Sequence, residues 1–237
     1  PNTVTETPIP TGTQRVTPEL VVPIGNHLTH GGQLQTTWKP GKKNTLIAGV
    51  DIWSRTMRTV RTKYIKSEVL NPAGTVVKTN HLVRGETPIP KSGFSSAGVF
   101  VQDEARLLYD RLTLITGGRI DGIKVENDAG TDIDYLIVNE VRNDTPPNQR
   151  ITFPAGKNNT LSWSANAGML YKVTKETDLT LNLARSFRAP SLEELFKYID
   201  LGNYVSLGDP DLKPENGASA DAGIRIWKPK FNLQVNG

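Results

Sequence analysis

The segment Leu161 to Val173, LSWSANAGMLYKV, constrains the fold more than any other part of the chain. Leu161, Trp163, Ala165, Ala167, Met169, Tyr171 and Val173 fall on one side of an extended strand, and Ser162, Ser164, Asn166, Gly168 and Lys172 fall on the other. Only Leu170 breaks the alternation. Such a period belongs to a strand with one apolar and one wet face.

The pattern recurs along the chain. In DLTLNLARSFR, Leu179, Leu181 and Leu183 oppose Thr180, Asn182, Ser186 and Arg188, so TKETD reads as a hairpin turn. Ala218, Ala220, Ala222, Ile224 and Ile226 form another apolar row, followed after KPK by Phe231, Leu233 and Val235. Upstream, Val99, Val101, Ala105 and Leu107 precede a partner strand through Leu112 and Leu114, with Asp103 as the exception on the apolar side. A fourth hairpin runs from GGQLQTTW through KPGKKN to Leu46, Ala48, Val50 and Ile52.

The turns inside the hairpins are short, whereas Arg55 to Ser95, Asn127 to Thr160 and Ala189 to Asn216 are long and polar. Strands of about ten residues, with short turns at one end and long loops at the other, describe a membrane β-barrel. A hydrophobic content of 36% is low for a compact soluble domain and suits a barrel with a wet interior. No apolar run approaches the ~20 residues of a spanning helix. The alternative is a soluble antiparallel sandwich, whose connections do not normally lengthen at one end only. The predicted class is all-β: an antiparallel up-and-down transmembrane barrel, about eight strands of a larger one, occupying residues 1–237 as one partial domain. The sequence opens on Pro1 and FNLQVNG stops in mid-pattern, as expected of a segment of a longer protein.

Little reactive chemistry is encoded. Cysteine is absent, which excludes disulfides and thiolate sites, and a net charge of +4 gives nucleic-acid binding no support. His27 and His30, in a glycine-flanked, loop-like stretch, lack an acidic or cysteine partner at metal-site spacing, and His81 stands apart. Asp209, Asp211 and Glu215 in GDPDLKPE do not match a calcium loop. Asp103 and Glu104 point to opposite faces and cannot share one substrate. With no triad, nucleophile elbow or phosphate loop, the expectation is a non-enzyme with no resident metal or cofactor. The basic run RTMRTVRTKYIK, Arg55 to Lys66, is read either as an attraction for anions or lipopolysaccharide phosphate, or as a solvated strand extension.

SFRAPSLEEL, Ser186 to Leu195, combines a strand end with a helix start. Parity puts Arg185 on the lipid side at the rim, where it can reach lipopolysaccharide, and Arg188 on the lumen side. Pro190 ends the ladder. Ser191 and Glu194 have capping-box spacing, and Leu192, Leu195, Phe196 and Ile199 make an apolar stripe, predicting a short helix to about Gly202.

Phe187, Arg188, Ala189 and Pro190, followed by SLEEL, and the later Asp209, Pro210, Asp211, Leu212, Lys213, Pro214 and Glu215, closely resemble the paired boxes of TonB-dependent outer-membrane receptors. VFVQDEARL and GGRID look like that family's barrel strands, so the resemblance covers most of Gly98 to Gly237 and leaves the residues before about Thr36 unmatched. It implies a barrel of about 22 strands around an N-terminal plug. The plug, the TonB box and the remaining strands are not recognisable in this sequence. The resemblance further implies an outer-membrane location and import of a scarce nutrient, driven by the TonB–ExbB–ExbD complex acting through the missing plug region. It places the short turns in the periplasm and makes the two boxes bracket an extracellular loop. Haem receptors of that family commonly carry a histidine between the boxes, and SLEELFKYIDLGNYVSL has none. A ferric siderophore is therefore the first ligand class, with haem and then cobalamin or a glycan behind it, and a passive porin as the non-energised alternative. Arg188, Tyr198 and Tyr204 are the candidate ligand contacts at the mouth, and the boxes themselves are read chiefly as loop-shaping devices.

Overall fold

The computed structural model describes residues 4–200 and 204–237. In chain order the strands begin with β1 (Thr5–Ile9), β2 (Gly12–Trp38), β3 (Asn44–Leu70), β4 (Val76–Glu86), β5 (Ser92–Leu107) and β6 (Leu112–Asn127). The short strands β7 (Gly130–Thr131), β8 (Tyr135–Val138), β9 (Val141–Asn143) and β10 (Ile151–Phe153) precede β11 (Gly156–Lys172) and β12 (Thr177–Arg188). The helix α1 (Leu192–Phe196) is followed by β13 (Tyr198–Asp200), β14 (Val205–Leu207), β15 (Glu215–Lys228) and β16 (Phe231–Asn236).

The eight strands read from the alternation are β2, β3, β5, β6, β11, β12, β15 and β16, each antiparallel to the next in one meandering sheet. The sheet is an open section of a barrel wall, with β16 at one edge and β1 along β2 at the other. Register turns the alternation into rows. Val50, Val99, Ile120 and Trp163 stand side by side on β3, β5, β6 and β11, all exposed. One residue along, Asp51, Gly98, Asp121 and Ser162 form the matching inner row. There Arg119 reaches both Asp51, at 2.9 Å, and Asp121, at 2.7 Å, so the polar face satisfies itself across three strands. Exposed apolar residues on one face and paired charges on the other are what lipid outside and water inside require.

Trp38, Tyr109 and Phe231 lie exposed at the short-turn end, and Tyr171 stands beside them. Trp163 sits eight positions further along β11, about 26 Å at ~3.3 Å per residue, near the height of an outer-membrane apolar band. Aromatic residues thus mark both borders, where amphipathic rings prefer to lie.

Above that band the structure departs from the sequence reading. Arg55 does not open a loop: β3 continues to Leu70 and pairs with β2 along almost its whole length. The chain then turns at Asn71, whose side chain accepts from the Ala73 and Thr75 amides at 3.0 and 2.9 Å, and β4 returns along β3. At 27 residues each, β2 and β3 run about 90 Å, far beyond the ~10 residues a tilted strand needs to cross a bilayer. Among the described residues before Thr36, for which the boxes offered no resemblance, Thr5–Ile9 form β1 and the chain from Gly12 onward runs in β2. The segment Asn127 to Thr160 is not one loop either, because β8 and β9 extend the upper sheet beside β4, and β7 pairs with β10. His27 and His30 lie in β2, not in a loop, and three residues along a strand put them on opposite faces, so they cannot share a ligand.

Candidate functional site at the outer mouth

The strand that carries the first box leaves the apolar band at Arg185. Its guanidinium lies 3.6 Å from the Trp163 ring centroid, and Nη2 donates to Asn216 Oδ1 at 2.8 Å. A cation stacked on an interfacial indole suits a border between lipid and charged headgroups. Two residues on, Phe187 packs against a buried cluster formed by Met57, Ile89, Phe94, Ile123, Phe153, Leu192, Leu195 and Phe196. Ala189, Tyr198 and Val125 pack against the same cluster.

Arg188 meets two carboxylates. Nε and Nη2 donate to Glu215 at 3.1 and 2.9 Å, and Nη1 and Nη2 donate to Glu194 at 3.0 Å each. Glu215 is its cross-strand partner on β15, so the last residue of one box pairs with the second residue of the other. Glu194 also closes the predicted capping box, accepting from the Ser191 amide at 2.8 Å while Ser191 Oγ accepts from the Glu194 amide at 3.2 Å. One guanidinium therefore ties the end of β12, the start of β15 and the first turn of α1 together.

The helix is shorter than predicted. It stops at Phe196, since Lys197 is extended at φ −74°, ψ 128°, and the Tyr198 amide donates to Pro88 O at 2.7 Å. Tyr198 to Asp200 then form β13 with β14, and the expected end at Gly202 lies outside the described residues. The second box caps the helix from beyond: the Gly208 amide donates to Lys197 O at 2.7 Å and Asp209 to Glu194 O at 3.0 Å. Asp209 Oδ1 in turn accepts from the Asp211 amide at 2.9 Å, which makes the carboxylate a turn former. A Cβ at Gly208 would come 2.7 Å from Glu194 O and from the Leu195 carbonyl carbon, so only glycine permits this approach. Gly208→Ala is expected to loosen the loop by about 1–3 kcal/mol, read as faster hydrogen exchange over residues 192–200 with the membrane strands unchanged.

Electrostatics at the clamp follow from the contacts. Arg188 holds the Glu194 carboxyl down to about 2, helped by the Ser191 amide, and holds Glu215 below the ordinary carboxylate range. Both guanidinium-bound carboxylates support the clamp above the usual carboxylate range, and for Glu194 that support disappears only as pH falls through about 2. Protection of α1 should thus persist from neutral pH down past 4.5 in the wild type. In Arg188→Gln the loss should begin at a higher pH than in the wild type, while the Ser191 amide keeps part of the lowering, and hydrogen exchange measured against pH checks the displacement. All three side chains are open to solvent, so added salt should weaken the clamp as well.

A second charge cluster, absent from the sequence reading, lies higher on the wall. Glu86, 2% exposed, accepts from Arg61 Nε at 2.6 Å and lies 3.0 Å from Lys63 Nζ and 2.8 Å from Arg84 Nε. Lys63 Nζ also donates to Asp200 O at 2.9 Å, and Arg84 lies 3.6 Å from the Asp200 carboxylate, so the tip of β13 docks onto β3 and β4. Arg61 and Lys63 share the inner face of β3 with Arg55. That spacing of two within RTMRTVRTKYIK was the available sign of a continuing strand.

Of the candidate ligand contacts, Arg188 is occupied by its two acids, Tyr198 is half-buried with its phenol pushed up by burial, and Tyr204 is exposed before β14. The structure does not gather them round one point. It forms instead a cleft of about 290 Å³ between the boxes, lined by Phe94, Asn127, Phe196, Pro210, Leu212 and Pro214. Below α1, on the inner face, lies a cavity of about 400 Å³ bounded by Trp53, Arg55, Phe94, Arg119, Phe187 and Leu192. Aromatic faces and guanidinium groups converge there, which is a setting for binding.

The sequence matches the family described as "TonB dependent receptor-like, beta-barrel" over residues 3–237. Among curated proteins, none matches it. Among solved structures it is similar to "Copper transporter OprC", with a TM-score of 0.64 and 17% identity over 94% of this chain and 34% of that one. It is also similar to the Serratia marcescens haemophore receptor HasR, solved as a double mutant with its haemophore HasA and haem, with a TM-score of 0.49 and 11% identity. That similarity covers 98% of this chain and 43% of HasR, so the chain spans less than half the length of either protein. The family match extends over nearly every residue, including the N-terminal strands, and the chain belongs to the TonB-dependent receptor β-barrel family.

Proposed function

We propose that the intact protein is a receptor in the outer membrane of a Gram-negative bacterium, where this family resides, and that it imports an iron complex, first of all a ferric siderophore. The observation that carries the reading is the mouth. The loop between β12 and β15 folds back over the inner face and roofs a cavity of about 400 Å³ walled by aromatic and basic side chains. A passive porin gains nothing from such a roof, whereas a receptor must hold its cargo before release inward. Energy for that release would come from the TonB–ExbB–ExbD complex through a plug region.

The two similar structures carry names with different cargo, copper and haem, so membership alone does not choose among cargoes. Against haem stands the lack of a histidine between the boxes. Within the loop we assign Arg188 as a clamp and leave Tyr204, the exposed tyrosine, as the cargo contact; Arg185 with Trp163 is assigned to lipopolysaccharide at the rim. A deletion strain should fail to grow on one ferric siderophore in a panel of single iron sources, and the complemented strain should take it up only with TonB present. A large open conductance of the intact protein in planar bilayers would instead favour the porin.

A further inference from the structure

The ladder between β11 and β12 stops at Ala165 and Arg185, although both strands continue above it, β11 from Gly156 and β12 to Arg188. There β11 stays paired with β6 and β12 with β15, so the wall splits along one seam between two intact lips. Arg185 Nη1 donates to Trp163 O, which turns the Trp163 backbone towards β12. By alternation Leu161 turns the same way, and Phe187 and Ala189 face back from the other lip. In the same register Trp163 would pair with Phe187 and Leu161 with Ala189. A gap of about 500 Å³ lies there instead, lined by Thr160, Leu161, Trp163, Arg185, Leu212 and Lys213.

The two lips are not level. Phe187 lies on the same side of β12 as Arg185, which stacks on Trp163 at the outer rim. Yet Phe187 bounds the inner cavity with Trp53, Arg55 and Arg119, and both Phe187 and Ala189 pack against the buried cluster. The end of β12 has therefore stepped inside the wall, laying its outward side on the inner face of β3, β5 and β6. Arg188 ties this end to β15 through Glu215 and to α1 through Glu194, so the three move together.

We infer that the seam is a two-state closure. In the tucked form, the one seen in the structure, the end of β12 lies inside the wall. In the zipped form it returns to the wall, and the ladder continues through Trp163 with Phe187 and Leu161 with Ala189. Zipping adds N–H···O bonds and removes an unpaired strand edge, whereas tucking buries the Phe187 ring. Burial keeps the tucked form in the majority, and Arg185 occupies the first acceptor that the longer ladder needs. Because α1 starts just beyond β12, zipping draws the roof off the cavity beneath it. The closure goes beyond the receptor reading and depends on no particular cargo.

The test places cysteine pairs in the intact receptor in outer-membrane vesicles, where this chain has no cysteine of its own to compete. Leu161→Cys with Ala189→Cys reports the zipped form. Ile123→Cys with Ala189→Cys reports the tucked form, since Ile123 and Ala189 line the same cavity. On oxidation of the otherwise wild-type receptor the tucked pair should close the faster. Phe187→Ala removes the anchoring ring and should raise the ratio of zipped to tucked product by about tenfold. Arg185→Gln, which frees the Trp163 carbonyl, should raise it several-fold. Heat-modifiable gel mobility shows whether each barrel has assembled, and Arg185→Gln decides alone if Phe187→Ala has not. The zipped disulfide should speed proteolytic nicking between residues 189 and 214, and the tucked disulfide should slow it. A zipped product absent from the assembled variants, a ratio unchanged by them, or equal nicking of the two locked forms would overturn the closure. None of these results touches the receptor reading, which fails separately if deleting TonB leaves uptake of radioiron-labelled siderophore unchanged.

Discussion

Glu86→Ala is expected to destabilise the outer extension of the wall by about 3–5 kcal/mol, the cost of leaving buried cations without their counter-charge. Arg61 is 7% exposed, and Lys63 and Arg84 are largely enclosed around the same carboxylate. Burial already pushes the Lys63 ammonium below the ordinary lysine range, with Glu86 opposing that shift. Removing the acid lowers it further. The folded variant then binds fewer protons at Lys63 than the unfolded chain does, so its stability should partly recover as pH rises towards the lysine range. Hydrogen exchange over β4 and β13 should accelerate by more than about a hundredfold at neutral pH, with β5, β6 and β11 unaffected. Uniform protection across the upper wall in the variant would contradict the role given to Glu86.

That cluster also marks the limit of what the sequence discloses. The eight membrane strands were legible because lipid accepts only one face of each, which writes a period of two into Leu161 to Tyr171 and Leu179 to Leu183. Above the band no lipid selects one face of β3, and Met57, buried in the apolar cluster, shares its side with charged residues. Arg55, Arg61 and Lys63 on one side alternate with Thr56, Arg58 and Thr62 on the other, and the contrast vanishes. The turn at Asn71 was nevertheless written in NPAG, whose asparagine and proline are turn formers. That turn sends β4 back along β3, in the pairing that brings Arg84 opposite Lys63 and Glu86 opposite Arg61.

The box loop was half legible. Its capping box, its strand stop at Pro190 and its apolar stripe all lie where Ser191, Glu194, Leu192, Leu195 and Phe196 announce them. Local spacing was enough for each. The clamp was not announced, because Arg188 and Glu215 are 27 positions apart and meet only when β12 pairs with β15. The Trp53 and Phe94 stack is hidden for the same reason. Tertiary register, not local pattern, builds these parts of the mouth.

Phe196→Ala is expected to release the whole box loop while leaving the barrel wall assembled. A five-residue helix cannot sustain itself in water, where about 12–15 residues are marginal, so α1 exists because its apolar stripe is buried. Phe196 is 5% exposed and meets Phe153 edge to face, with centroids 6.0 Å apart at 81°. Truncating such a ring costs about 3–5 kcal/mol, and the solvent-exposed ion pairs of the Arg188 clamp are too weakened by screening to offset it. The loop should therefore become cleavable between residues 189 and 214, with heat-modifiable mobility of the barrel unchanged. Phe153→Ala approaches the same contact from β10 and should produce the same nicking, and the double variant should lose less than the sum of the singles because the two rings share one interaction. With the roof gone the cavity beneath α1 opens to solvent, so cargo binding should weaken even though neither phenylalanine lines that cavity. Retained cargo affinity in a loop that has become protease-sensitive would separate the cavity from its roof and place binding wholly on the wall.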